Sequence, residues 1–204
     1  LTITEKGYQL NGYDGSYQDA VVKDLGRDPE SDRMSTAMGL VTALLVQRFH
    51  AGATPVAVVS CDNFSHNGDM LRTSVLTIVA EWEKRGVIDH RVVEWIAEKV
   101  EFPISVIDKI TPAPSQKVAE QLASMGFEDM AINLDVEVAG FVNTEPAEYL
   151  VIEDRFPNGR PELEKAGVYF TDRDTCHRFE RMKVTTCLNP LHTALAITGV
   201  LLRK

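Results

Sequence analysis

Near the end of the sequence, the stretch FERMKVTTCLNPLHTALA at 179–196 places Glu180, Lys183, Asn189 and His192 within thirteen positions. An amine, a carboxylate, an amide and an imidazole so close together are the groups that move protons and hold a reacting oxygen. They are equally the groups of a solvated helix face. Glu180 and Lys183 stand at i, i+3, a pairing that stabilises a helix by about 0.2–0.5 kcal/mol with no chemistry attached. A second cluster, SCDNFSHNG at 60–68, contains Asn63 and Asn67. Their amides can donate hydrogen bonds to a ligand oxygen without carrying charge; Asp and Asn in such a stretch also serve as turn and cap residues. No G-x-S-x-G turn surrounds Ser60, Cys61 and Asp62, which argues against a nucleophile there. In VIDKITP at 106–112, Asp108 sits between apolar neighbours. It can pair with Lys109, cap a helix or, at a cleft between domains, hold substrate hydroxyls.

The elements around these clusters follow from hydrophobic period and punctuation. TITEKGY alternates β-branched and polar residues up to a glycine, so a strand and turn are expected. SYQDAVVKDL reads as a short helix. A stronger helix is expected from Pro29 through Met34, Met38, Val41, Leu44 and Leu45 to about Gly52. TPVAVVS at 54–60 is a short β-branched apolar run, the pattern of a buried parallel strand. The SCDNFSHNG loop follows it, then helices to about Lys84 and over HRVVEWIAEKV. Alternating strand and helix implies a parallel, helix-covered sheet. Ligands bind such sheets beyond the carboxyl ends of the strands, where SCDNFSHNG lies. Three prolines in EFPISVIDKITPAP mark a boundary. The expected division is therefore an α/β part over 1–103 and a mostly α-helical part over 104–204. The latter opens with the helix SQKVAEQLASMG and with strand, turn and strand in LDVEVAGFVNTEPAEYLVIED. No G-x-G-x-x-G fingerprint occurs between a strand and a helix.

Composition excludes several classes. The 204 residues carry a net charge of −9, with no basic footprint for a nucleic acid. The longest apolar window is taken as 38–49, too short and interrupted to span a bilayer. The first residues lack the basic start and apolar segment of a signal peptide. Three cysteines without ligand-type spacing fit reduced thiols in a cytoplasmic protein and no metal. The chain does not begin with Met and opens inside an apparent strand, so an internal portion of a longer protein is expected.

TITEKGY, SCDNFSHNG, FPISVIDKITP, NTEPAEYLVIEDRFPNGRP and FERMK…LNPLH occur in this order over nearly the whole chain. Together they resemble the polyol-specific long-chain dehydrogenases, the mannitol dehydrogenase family, with a lean toward its fructuronate reductase (mannonate oxidoreductase) branch. The resemblance implies a Rossmann-type N-terminal part, incomplete here, followed by a mostly α-helical C-terminal domain. It implies zinc-independent oxidation of a secondary alcohol on a sugar alcohol or aldonate, or reduction of the matching keto sugar, with NAD or NADP and NAD favoured. Lys183 matches the family's general base, Asn63 and Asn189 the amides that hold the reacting oxygen, and His192 the substrate-orienting histidine. Glu180 matches the group that passes the base's proton to water, and Asp108 a substrate-binding carboxylate. A lysine serves as such a base when desolvation or nearby positive charge favours its neutral form, and two amides stabilise a developing alkoxide. The alternatives are a non-catalytic relative that binds a sugar acid or nucleotide, and a fragment inactive on its own.

Beside its length, under half that of family members, three departures stand out. The family's usual VDR is IDK here, so Lys109 lacks arginine's bidentate fork. Its N-G-x-H is NPLH. Its lysine and asparagine are usually five apart, whereas Lys183 and Asn189 are six apart. At about 100° per residue, a regular helix would place Lys183 and His192, nine apart, on roughly opposite faces. Pro190 cannot donate to the Thr186 carbonyl, so a one-residue bulge or kink near 185–189 is expected.

Overall fold

The computed structural model describes residues 1–109, 111–144 and 149–202. Contacts gather them into two compact units, Leu1–Ile107 with Leu150–Lys204, and Asp108–Tyr149. This differs from a division at 103/104. The reason lies in the strand register: β3 (Ser105–Val106) pairs antiparallel with β4 (Val151–Glu153), which pairs parallel with β5 (Tyr169–Thr171). Residues 104–106 are thereby hydrogen-bonded into the larger unit.

In that unit, α1 (Asp19–Leu25), α2 (Ala37–His50), α3 (Asn67–Lys84) and α4 (His90–Lys99) surround a short parallel pair. The pair is β1 (Val56–Ala57) with β2 (Val100–Glu101), in register Val56 to Val100. At the chain start, Thr2 makes a single parallel bridge to Cys61, four residues beyond β1. The strand expected at the start is replaced by this single bridge, because Glu5–Tyr8 coils into a 3₁₀ turn. The core is aromatic and aliphatic: Tyr8, Leu25, Met38, Leu71, Ile78, Trp82, Ile96 and Phe102 are almost fully buried. The polar edges of its two indoles are satisfied, Trp82 donating to the Asp24 carbonyl and Trp95 to that of Ala53.

The helix expected from Pro29 begins later, at Ala37. The buried Asp24 carboxylate holds the chain in a turn first, accepting from the N–H groups of Ser35 and Thr36 at 2.7 and 2.8 Å. Thr36 then caps α2 by accepting from the Gly39 N–H. A Cβ at Gly39 would lie 2.4 Å from an Asp24 oxygen, so only glycine admits this approach.

The smaller unit contains α5 (Gln116–Ser124) and a turn bridged between Asn133 and Val138. The Lys109 ammonium lies 5.7 Å from the centre of the Tyr149 ring. Among the described residues, the strand, turn and strand expected from 134 onward reduces to this turn and, in the other unit, β4; positions 145–148 of that stretch lie outside the described residues.

From Arg173 to Leu202 the chain is one continuous helical run: α6 (Arg173–Glu180), a π-helical segment (Arg181–Leu188) and α7 (Asn189–Leu202). It includes an 18-residue window of mean hydropathy 1.3, 6% buried, so by length and composition it is apolar enough to cross a membrane. The choice of 38–49 as the longest apolar window is corrected accordingly. Polar Asn189 and His192 interrupt the later run and concealed it.

Candidate active site

The SCDNFSHNG loop leaves the carboxyl end of β1 and ends at the first turn of α3. Three of its residues pin it. Asp62 accepts a short hydrogen bond from the Tyr8 hydroxyl and, at 2.8 Å, the Phe64 N–H. Tyr8 is itself buried, and its carbonyl accepts from the Ser74 hydroxyl at 2.9 Å. Burial, and next the bond to Asp62, push the Tyr8 phenol well above its ordinary pKa, so it stays a donor. Ser60 gives its carbonyl to the Ser105 hydroxyl.

Asn67 is the third anchor, and here the expected role changes. It is 0% exposed, and its amide donates to the Ser105 carbonyl and hydroxyl at 3.1 and 3.2 Å. Its side-chain oxygen accepts from the N–H groups of Ser105 and Gly68 at 3.1 and 2.8 Å. An amide fully engaged with the backbone has nothing left for a ligand. The substrate contact expected of Asn67 is corrected to a structural tie between the loop and β3. Gly68 belongs to the same tie, since a Cβ there would lie 2.5 Å from the Phe102 carbonyl oxygen. The result is an exposed Asn63 flanked by fixed neighbours.

Asp172 caps α6, accepting from the Thr175 N–H at 2.8 Å. The buried stripe of the run is Cys176, Glu180 and Val184. Burial, followed by the negative charge of Glu153, pushes the Cys176 thiol up to about 11. Glu180 is thus a carboxylate taken out of water, 6% exposed, while Lys183 beside it is half-buried. Asn189 and His192 are exposed on α7.

The irregularity expected near 185–189 takes the form of the π-helical segment over Arg181–Leu188. Its i→i+5 bonding puts more residues in each turn, on the order of 85° of rotation per residue. Six such steps from Lys183 to Asn189 and three α-helical steps to His192 leave Lys183 and His192 roughly 90° apart, where a regular helix of this spacing leaves them opposed. The widened turn absorbs the extra residue. Pro190 sits in the first turn of α7 and offers no N–H to the ladder, so the π register ends without a donor being orphaned there.

The loop and this helix, more than a hundred residues apart in sequence, meet in the larger unit. The His66 and His177 rings stack with centroids 4.2 Å apart. Arg173 forms a short ion pair with Asp69, in the first turn of α3. The elements that carry Asn63, Glu180 and Lys183 are therefore neighbours. Asp108 opens the smaller unit, two residues beyond β3. Sequence reasoning passed over Tyr8, Ser105 and Arg173. Tyr8 lay within a quoted motif, but nothing local marked its hydroxyl as the partner of Asp62.

A sequence profile described as the mannitol dehydrogenase Rossmann domain matches residues 1–165. D-mannonate oxidoreductase of Thermotoga maritima is 51% identical over 207 residues, covering 99% of this chain and 38% of its own length. Mannitol 2-dehydrogenase of Cereibacter sphaeroides is 35% identical over 99% of this chain and 38% of its own. Among solved structures, a Pseudomonas fluorescens mannitol 2-dehydrogenase, in ternary complex with NAD and D-mannitol, superposes with a TM-score of 0.65 at 35% identity. It matches 90% of this chain and 34% of its own. A substrate-free D-sorbitol dehydrogenase gives 0.66 at 33% identity, over 89% and 35%. The chain thus spans little more than a third of the length of these relatives.

Proposed function

Since the chain belongs to the mannitol dehydrogenase family, we propose that the protein it represents is an NAD-dependent oxidoreductase acting on a secondary alcohol of a sugar acid or sugar alcohol, with mannonate ahead of mannitol. The observation that carries this reading is the π-helical segment, which leaves Lys183 and His192 roughly 90° apart where a regular helix of this spacing leaves them opposed. The greater identity to a mannonate oxidoreductase, 51% against 35% for a mannitol 2-dehydrogenase, favours the aldonate.

In this reading Lys183 takes the hydroxyl proton as hydride leaves the neighbouring carbon for the nicotinamide. The Asn63 and Asn189 amides stabilise the oxygen as negative charge grows on it. Glu180, buried one turn before the lysine, passes the proton on toward water. His192 orients the substrate and Asp108 binds its hydroxyls. NAD supplies the redox chemistry; the residues here supply position and a proton path.

The test is an absorbance assay of the full-length protein with NAD and NADP against mannonate, altronate, mannitol and arabinitol. Turnover is expected with an aldonate, and no turnover with any of them refutes the dehydrogenase reading. Lys183→Ala should lower kcat by about 10²-fold or more, the usual contribution of a general base. A variant that keeps most of its rate refutes the assignment of Lys183.

A further inference from the structure

One cluster of ligating side chains stands outside this proton path. His66, Asp69 and His177 each present one ligand atom, and these atoms lie within 4.8 Å of one another. They come from the last residue before α3, the first turn of α3 and the second turn of α6. We propose that these three side chains bind one divalent transition-metal ion that ties α3 to α6. The inference does not rest on the dehydrogenase reading.

Four observations support it. First, the donor types fit. Two imidazole nitrogens and a carboxylate oxygen suit Zn²⁺, Co²⁺, Fe²⁺ or Mn²⁺, whereas Ca²⁺ and Mg²⁺ take oxygen ligands. Bonds of about 2.0–2.2 Å bring ligand atoms to about 3.3 Å from one another, within reach of small side-chain rotations from the present spacing.

Second, the carboxylate is already oriented. One Asp69 oxygen is held by Arg173, while the other lies 3.6 Å from His66 Nδ1. Arg173 in turn grips the buried Glu153 with two nitrogens and donates to the Phe102 carbonyl. An outer layer of this kind fixes a ligand's direction in metal sites.

Third, His177 Nδ1 is buried and has no hydrogen-bond partner among the described residues. Buried polar atoms without partners are few in folded proteins. Fourth, His66 holds a left-handed backbone, φ 57° and ψ 37°, a conformation that in non-glycine residues clusters at ligand sites.

The cluster borders a cavity of about 630 Å³, also lined by Asp172, Asp174, Arg178 and Arg181, which leaves room for water to complete the coordination. Three α-helical steps and three π-helical steps put His177 and Lys183 roughly 165° apart around the helix axis. The ion is therefore structural, on the far side of the helix from the base, and hydride transfer does not pass through it.

The experiment uses the full-length protein, freed of metal with EDTA and dialysed, then titrated with Zn²⁺ by calorimetry and with Co²⁺ by visible absorption. One saturable ion per chain is expected, with binding weakened about 100-fold or more in both His66→Ala and His177→Ala. The metal should raise the melting temperature of the wild type and of neither variant. Absence of a saturable site overturns the proposal. So does equal affinity in wild type and His177→Ala, which would place the ion elsewhere. Should His177→Ala fail to fold, His177→Gln and Asp69→Asn provide the same comparison.

Discussion

Replacing Arg173 by methionine tests how the two halves of the site are held together. Glu153, on β4, is 2% exposed. Its carboxylate receives the Arg173 guanidinium at 3.0, 3.1 and 2.9 Å and, among the described residues, otherwise accepts only the Ile104 N–H at 3.2 Å. Arg173 is 31% exposed and also reaches Asp69 and the Phe102 carbonyl. Methionine keeps much of the length and removes every charge contact, so a buried anion is left with one weak donor. Breaking a buried pair from one side costs about 3–5 kcal/mol. The Asp69 contact adds well under 1 kcal/mol, because that carboxylate is 41% exposed. Urea unfolding of the 204-residue chain, followed by circular dichroism, should show this loss as a fall in midpoint with little change in slope. The companion variant Arg173→Met with Glu153→Leu removes both charges and should recover most of the stability, because the penalty belongs to the unpaired ion. A single variant within about 1 kcal/mol of wild type refutes the reasoning, as does a double variant no better than the single.

Three further outcomes are expected. Burial pushes the Asp24 carboxyl up, but N–H groups of Ser35 and Thr36, the Thr36 hydroxyl and the Arg27 guanidinium outweigh it and hold it below the ordinary carboxylate value. Its folded pKa is thus depressed, so its contribution is complete above about pH 4 and is lost as pH falls through the lower folded value; Asp24→Asn should flatten the acid limb of a stability–pH curve. Cys176, with its thiol at about 11 and no exposure, should resist a thiol reagent at pH 8 until the chain unfolds, while exposed Cys187 reacts at once; peptide mapping of the labelled protein checks the order. Tyr8→Phe removes only the hydroxyl that holds Asp62. It should speed amide exchange across 61–66 and, in the full-length protein under the proposed activity, lower kcat more than it raises KM; exchange equal to wild type would show that the Tyr8 bond does not order the loop.

The elements of the larger unit were mostly legible because they follow local rules. The period of α3 and α4 and the β-branched run around Val56 are each fixed by residues within a few positions. The delayed start of α2 was not legible, because it depends on Asp24, eleven to twelve residues away, binding Ser35 and Thr36. The misfit between Lys183 and His192 was also legible, since counting positions against helical rotation exposes it. Its resolution as eight π-helical residues was not, because Pro190 marks where the ladder must yield but not how far the yielding spreads.

The same contrast runs through the site. Motif order along the chain already tied SCDNFSHNG and FERMK…LNPLH to one family, and residue type made Asn63 and Asn67 equal candidates to meet a ligand. Only the tertiary structure separated them. Ser105 comes from a strand 38 residues later and takes up the whole amide of Asn67, while Asn63 faces solvent. Likewise no spacing relates His66 and Asp69 to His177, or Arg173 to Glu153. Those groups meet because β3, β4 and β5 pair and α6 follows them back across the first turn of α3. Local sequence can specify a helix, a cap or a strand through neighbours in the chain; which side chains face one another across the fold is settled by strand pairing and burial, and these act between residues the sequence holds far apart.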